Sequence, residues 1–169
     1  MNKKFSLIKK DSVTIGGIKL YRIKAKISFG NVQKGDIGGY VESEKNLHML
    51  GNAWIYGNAR IFGNAQIYGN ARIYGDAWIF GNARIYGDAW IYGDAQIFWA
   101  SKVGSENGTL TVFNCIEGIK VTRGRFIGTP KQFLDKSKKT HGVTSKIHKE
   151  YKLLIKVAKS RIEGAKHDN

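Results

Sequence analysis

Four lysines, Lys149, Lys152, Lys156 and Lys159, recur at 3-4-3 spacing near the end of the chain, which on a helix gathers them into one stripe. Between 146 and 161 only Glu150 opposes Lys146, Lys149, Lys152, Lys156, Lys159 and Arg161, whereas a face charged merely for solubility mixes both signs. Arg123 and Arg125 add to the same half of the chain. Such a surface binds phosphate backbones by releasing counterions and reads no base sequence. Other chemistry finds few residues. His48, His141, His148 and His167 sit in unrelated segments, unlike the converging ligands of a zinc site. No orienting carboxylate marks His48 as a general base, and Cys115 reads as a small strand residue. Neither an enzyme nor a cofactor is expected.

The elements that must position these groups are bounded by composition. A chain of 169 residues and 18.9 kDa fits one ordinary domain with an appendage. Its 28 Lys+Arg against 13 Asp+Glu leave +15, of which the leader to residue 50 carries +6, the repeats none and residues 99–169 the other +9. Polyanions are therefore the natural partner class. A hydrophobic share of 42% excludes a wholly disordered chain, and Gly 21 with Pro 1 fits neither collagen nor a Pro-rich linker. The start MNKKFSLIKK lacks the apolar stretch of a signal peptide, and no segment approaches the ~18 apolar residues of a membrane span. With one cysteine and hence no internal disulfide, the chain is expected in the cytoplasm, with no membrane partner.

From Gly51 to Phe98 the chain reads as eight hexads without a gap, GNAWIY GNARIF GNAQIY GNARIY GDAWIF GNARIY GDAWIY GDAQIF. In each, Ala and Ile alternate with a variable and an aromatic residue, as a short strand does, and Gly with Asn or Asp makes the corner. Strands this short must share an interior, which a solenoid supplies. Phe62, Phe80 and Phe98 are 18 residues apart, with Tyr56, Tyr74 and Tyr92 in another register and Tyr68 and Tyr86 in the third. That segregation predicts three hexads per coil, with aromatic ladders outside and Arg72 between Trp54 and Trp90. So much outward aromatic surface predicts a cover over Tyr56, Phe62, Tyr74, Trp78, Phe80, Tyr92 and Phe98, whether the tail helix, a second copy or a host protein.

The flanks read as caps. Alternation in SVTIGGIKLYRIKAKI predicts a hairpin in an N-terminal β cap over 1–50, protecting the first coil edge. The repeat solenoid is expected over 51–104, since Val103 keeps the hexad spacing, followed by a β-hairpin cap over 105–128 and a basic helical tail over 129–169. Thr129, Pro130 and Gln132 form a helix start, with that helix ending near Gly142. A second helix is expected from Ser145 to about Ile162, with Ile147, Tyr151, Leu154, Ile155 and Ala158 on its apolar face.

These residues resemble the hexapeptide-repeat, left-handed parallel β-helix superfamily, whose aliphatic residue is followed four positions later by a small one, as Ile55 is by Ala59 and Ile61 by Ala65. The residue after each Ile is always Tyr or Phe, which departs from the acyltransferase branch. A nearer resemblance is to uncharacterised hexapeptide-repeat proteins of phages and prophages, through YRIKAKISFGNVQKGDIGGYVESEKNL at 21–47, VGSENGT at 103–109 and a helical tail. It implies a mainly β, three-sided, left-handed β-helix. It also implies a non-enzymatic binding protein whose target is RNA, DNA or a host nucleoprotein complex, in the manner of inhibitors of CRISPR-type defence. A second class of function is a self-assembling solenoid that forms homo-oligomers through its aromatic face, and a third is an acyltransferase using His48.

Overall fold

The computed structural model describes residues 2–92, 97–115 and 118–164. They belong to two compact units, Met1–Asp94 and Ala95–Asn169.

In the first unit each hexad makes a strand of two or three residues: β4 (Trp54–Ile55), β5 (Arg60–Ile61), β6 (Gln66–Ile67), β7 (Arg72–Tyr74), β8 (Trp78–Ile79), β9 (Arg84–Ile85) and β10 (Trp90–Tyr92), numbered after three strands of the cap. Glycine turns the corners, with φ between 60° and 79° from Gly51 to Gly87, a conformation that costs other residues steric strain. Every strand pairs in parallel with the one 18 residues on: Trp54 and Trp90 flank Arg72, Arg60 meets Trp78, and Gln66 meets Arg84. Three parallel stacks result. Ile55, Ile61, Ile67, Ile73, Ile79, Ile85 and Ile91 are fully buried, as are the Ala residues from 53 to 89, so each Ile contributes about 2 kcal/mol of burial.

The cap consists of β1 (Phe5–Ile15), β2 (Ile18–Ala25) and β3 (Ile37–Val41). β1 and β2 form an antiparallel hairpin, and β3 then turns parallel to β5, pairing Tyr40 with Arg60 and Val41 with Ile61. The cap also closes over Trp54, whose ring packs edge-on to Phe5 and Phe29 and is buried rather than outward-facing. An exposed coil end would leave carbonyls unsatisfied, and three cap side chains meet them. Lys4 Nζ donates to the carbonyls of His48, Gly51 and Ala53 at 3.3, 3.0 and 2.8 Å. Arg22 Nη1 donates to Gly57 O at 3.1 Å, and Asn46 Nδ2 donates to Gly63 O and Ala65 O at 3.1 and 2.9 Å. Each of the first three corners thus has its own donor, consistent with the rule that buried polar groups are bonded.

The second unit spans Ala95–Asn169. β11 (Ile97–Val103), β12 (Gly108–Cys115), β13 (Gly118–Arg123) and β14 (Phe126–Gly128) form one antiparallel meander rather than a coil to 104 followed by a two-stranded hairpin. Trp99 stands where a corner glycine is needed, so the chain runs straight on and pairs with β12. Phe98 therefore lies in the meander, opposite Val112, and packs against this unit's core of Val112, Val121, Phe133, Tyr151, Ile155 and Ile162. The Ala95 hexad position lies outside the described residues.

α1 (Pro130–His141) and α2 (Lys146–Gly164) complete the unit. The Thr129 side chain accepts from the Gln132 amide at 3.2 Å while Gln132 Oε1 accepts from the Thr129 amide at 2.8 Å, with Pro130 opening the helix. Ser145 Oγ accepts from the His148 amide at 3.1 Å, and buried His148 Nδ1 lies 3.1 Å from Ser137 Oγ, tying the helices together. Among the described residues no helix is long and apolar enough to cross a membrane.

Candidate polyanion-binding surface

α2 buries Tyr151, Ile155, Ala158 and Ile162 against the meander and turns Lys146, Lys149, Lys152, Lys156, Lys159 and Arg161 outward. Lys159 reaches Glu163 only at 4.0 Å, and Lys149, Lys152 and Lys156 form no ion pair with any described residue. The stripe is not purely basic, because exposed Leu153 and Val157 lie between the lysines. Leu153 joins a groove of about 880 Å³ between the helices, where Pro130, Leu134, Leu153 and Ile155 form the apolar wall and Lys131, Lys149, Lys152, Lys156 and Lys159 the rim. Asp135 is its one acidic lining residue among the described residues. From Thr129 to Gly164 there are ten Lys or Arg against three Asp or Glu.

Arg123 does not join that open surface. Its Nη2 donates to Val103 O at 3.1 Å inside the unit and Nη1 lies 3.8 Å from Glu106, because the β13–β14 turn folds its side chain back over the meander. Arg125, at the tip of the same turn, is exposed.

The aromatic columns stand in the first unit. Tyr56 stacks on Tyr74 with centroids 4.5 Å apart, Phe62 on Phe80 at 5.0 Å, and Tyr68 on Tyr86 at 4.6 Å. Burial first, and then the neighbouring tyrosine, raises the phenol pKa of Tyr56 and of Tyr68. Arg72 lies over the Trp90 ring at 5.5 Å, as its register demands, and Arg60 lies over Trp78 at 5.3 Å, a pairing that follows from the same period. Trp78 and Phe80 keep 36% and 41% of their surface exposed. The Tyr92 side chain lies outside the described residues, so the third rung of that ladder is not assigned.

His48 caps a column of tyrosines. Its ring tilts over Tyr68 at 4.9 Å and its Nδ1 accepts from the Leu50 amide at 3.3 Å, with no carboxylate bonded to it among the described residues. His141 lies 6.5 Å from the Tyr151 ring, His148 is buried against Ser137, and His167 lies outside the described residues. No cluster of three or more His, Cys, Asp or Glu among the described residues could hold a metal ion. Buried Cys115 donates to Gly118 O at 2.8 Å, as befits a strand residue.

Residues 65–81 and 77–93 match the family model of the YdcK beta solenoid repeat, so the hexads are similar to a β-solenoid repeat. No curated protein matches the chain.

Proposed function

We propose that this chain is a non-enzymatic binding protein in which a three-sided, left-handed solenoid is the rigid body and the helical unit engages a nucleic acid or nucleoprotein target without metal or cofactor. The observation that carries this reading is the cluster of exposed Lys149, Lys152 and Lys156, which lack acidic partners among the described residues and face Lys131 across the groove. Uncompensated cations on a fixed helix release counterions when phosphates replace them. The register of 18 and the three stacks support the three-sided form, and the resemblance of the hexads to the hexapeptide-repeat superfamily supports left-handedness. The resemblance of the leader to phage and prophage proteins supports a target in the bacterial cytoplasm, among host-defence nucleoproteins of the CRISPR type.

Replacing Lys149, Lys152, Lys156 and Lys159 together by Gln leaves the buried face of α2 unchanged. Affinity for mixed-sequence duplex DNA should fall, and the slope of log affinity against log salt should become shallower by about three to four. An unchanged slope would remove α2 from the interface, and absence of binding by the parent protein would remove nucleic acid as its direct partner.

Exposed Trp78 and Phe80 beside Phe62 favour a second reading, self-assembly through that flank. Under it, Phe80→Glu should sediment as a smaller species with an unchanged circular dichroism spectrum. Identical sedimentation of both proteins would dismiss it.

A further inference from the structure

On the side of α1 away from the lysine groove, the second unit forms a separate, open-mouthed cavity of about 310 Å³. It shares no lining residue with that groove. Arg123 and Arg125 enter it from the β13–β14 turn, Lys136 and His141 from α1, and the Tyr151 ring from α2, while Glu106 is its one carboxylate. Three permanent cations therefore border one small space, from two different elements.

Arg123 is the unusual group among them. Its side chain is only 11% exposed, yet among the described residues it donates to a single carbonyl, that of Val103, and its Nε is buried without a partner. Glu106, at 3.8 Å and 83% exposed, is too distant for a hydrogen bond and too well hydrated to neutralise the guanidinium. A buried cation is stable only when its charge and its donors are matched, and a guanidinium offers five donors. The backbone is also shaped around this group. A Cβ at Gly108 would overlap Arg123 Nη1, and one at Gly104 would overlap the Tyr151 hydroxyl, so both side chains settle where glycine leaves room.

We infer that this cavity is a binding site for a phosphate monoester, with Arg123 as the buried anchor and Arg125 and Lys136 as the outer clamp. A monoester carries close to two negative charges near neutral pH and three acceptor oxygens, which suits two guanidinium forks and an ammonium better than a carboxylate does. The sources of that chemistry are a mononucleotide and the phosphorylated 5′ end of a nucleic acid strand, and inorganic phosphate carries the same dianionic oxygens. The site stands independently of the lysine groove, since neither needs the other.

Calorimetric titration of the whole protein at constant ionic strength tests it, with inorganic phosphate, AMP, acetate and a DNA strand bearing a 5′-phosphate or a 5′-hydroxyl as probes. Phosphate or AMP should saturate one site and acetate should not. Arg125→Gln and Lys136→Gln, both at exposed positions, should each weaken binding about tenfold, the loss expected for one charge-assisted bond. Glu106→Gln should tighten it by removing the competing carboxylate, an effect that a purely structural Arg123 would not produce. The strand comparison uses the protein with all four groove lysines replaced by Gln: preference for the 5′-phosphate identifies a strand end as the source, and equal strand binding with retained AMP binding identifies a small molecule. No saturation by phosphate or AMP up to about 10 mM, equal binding of acetate, or indifference to both clamp variants would overturn the proposal. A failed groove with an intact phosphate site and no preference for the 5′-phosphate strand would reject the nucleic acid reading alone.

Discussion

Raising the pH from 8 to 10.5 should stabilise the first unit through Lys4 by about 1–2 kcal/mol, once the screening of a part-buried ammonium is allowed for. Burial lowers the Lys4 ammonium from 10.5 to about 8 in the folded chain. Between those values the unfolded chain holds a proton that the fold has shed, so stability climbs with pH across that window and the penalty is fully present below it. The amine still donates to the corner carbonyls when neutral, and Phe29, whose ring lies 4.5 Å from Nζ, stays beside it. Urea unfolding followed by tryptophan fluorescence checks this, because Trp54 is sealed by the same cap. Other lysines also titrate there, so the measured quantity is the difference between the parent protein and Lys4→Met. Parallel curves for the two would show that the amine is as solvated in the fold as outside it.

A glycine series along one corner should separate backbone strain from crowding. Gly51, Gly69 and Gly87 occupy equivalent positions with φ of 79°, 69° and 69°. A Cβ at Gly51 would overlap the carbonyl oxygen of Gly69, and one at Gly69 would lie 2.9 Å from Gly87 N, whereas one at Gly87 meets nothing within 4 Å. Gly87→Ala should therefore cost only the left-handed strain, about 1–2 kcal/mol. Gly51→Ala adds the displacement of a stacked corner, for a total of about 3–5 kcal/mol. Equal losses at the two sites in denaturant unfolding would mean that the corners can spread to admit a methyl group.

The repeat was legible because each hexad carries its own instructions. Ala and Ile at fixed places set the inward face, glycine set the corner, and Tyr56 over Tyr74 and Phe62 over Phe80 already revealed the interval of 18. The start of α1 was equally plain, since its cap needs only Thr129, Pro130 and Gln132. What the sequence concealed lies in isolated polar residues whose partners are backbone atoms far along the chain. Lys4 looks like any lysine of a basic leader, yet its 2.8 Å bond reaches 49 residues ahead to Ala53. Arg123 counted as surface charge because nothing in TRGRF shows that the turn folds it back toward Val103. Ile97 and Val103 keep hexad spacing in a strand that is not a hexad, because alternation looks alike in a coil and in a meander. Only Trp99, a bulky residue at a glycine corner, marked where the repeat stopped.

The donors that close the coil end precede their acceptors in the chain: Lys4, Arg22 and Asn46 come before Gly51, Gly57 and Gly63. A ribosome therefore releases the lid before the vessel. The hairpin has to wait, with Lys4 unmatched, until residues through Ala53 emerge, and a ribosome that stalls in the leader leaves a strand edge open to a neighbouring nascent chain. Once the first turn is seated, every later hexad meets a template already in register 18 residues behind it and can lock as it appears. Growth of the repeat is thus polarised from the N-terminal end, and codons translated slowly would be tolerated between later hexads far better than between the leader and the first.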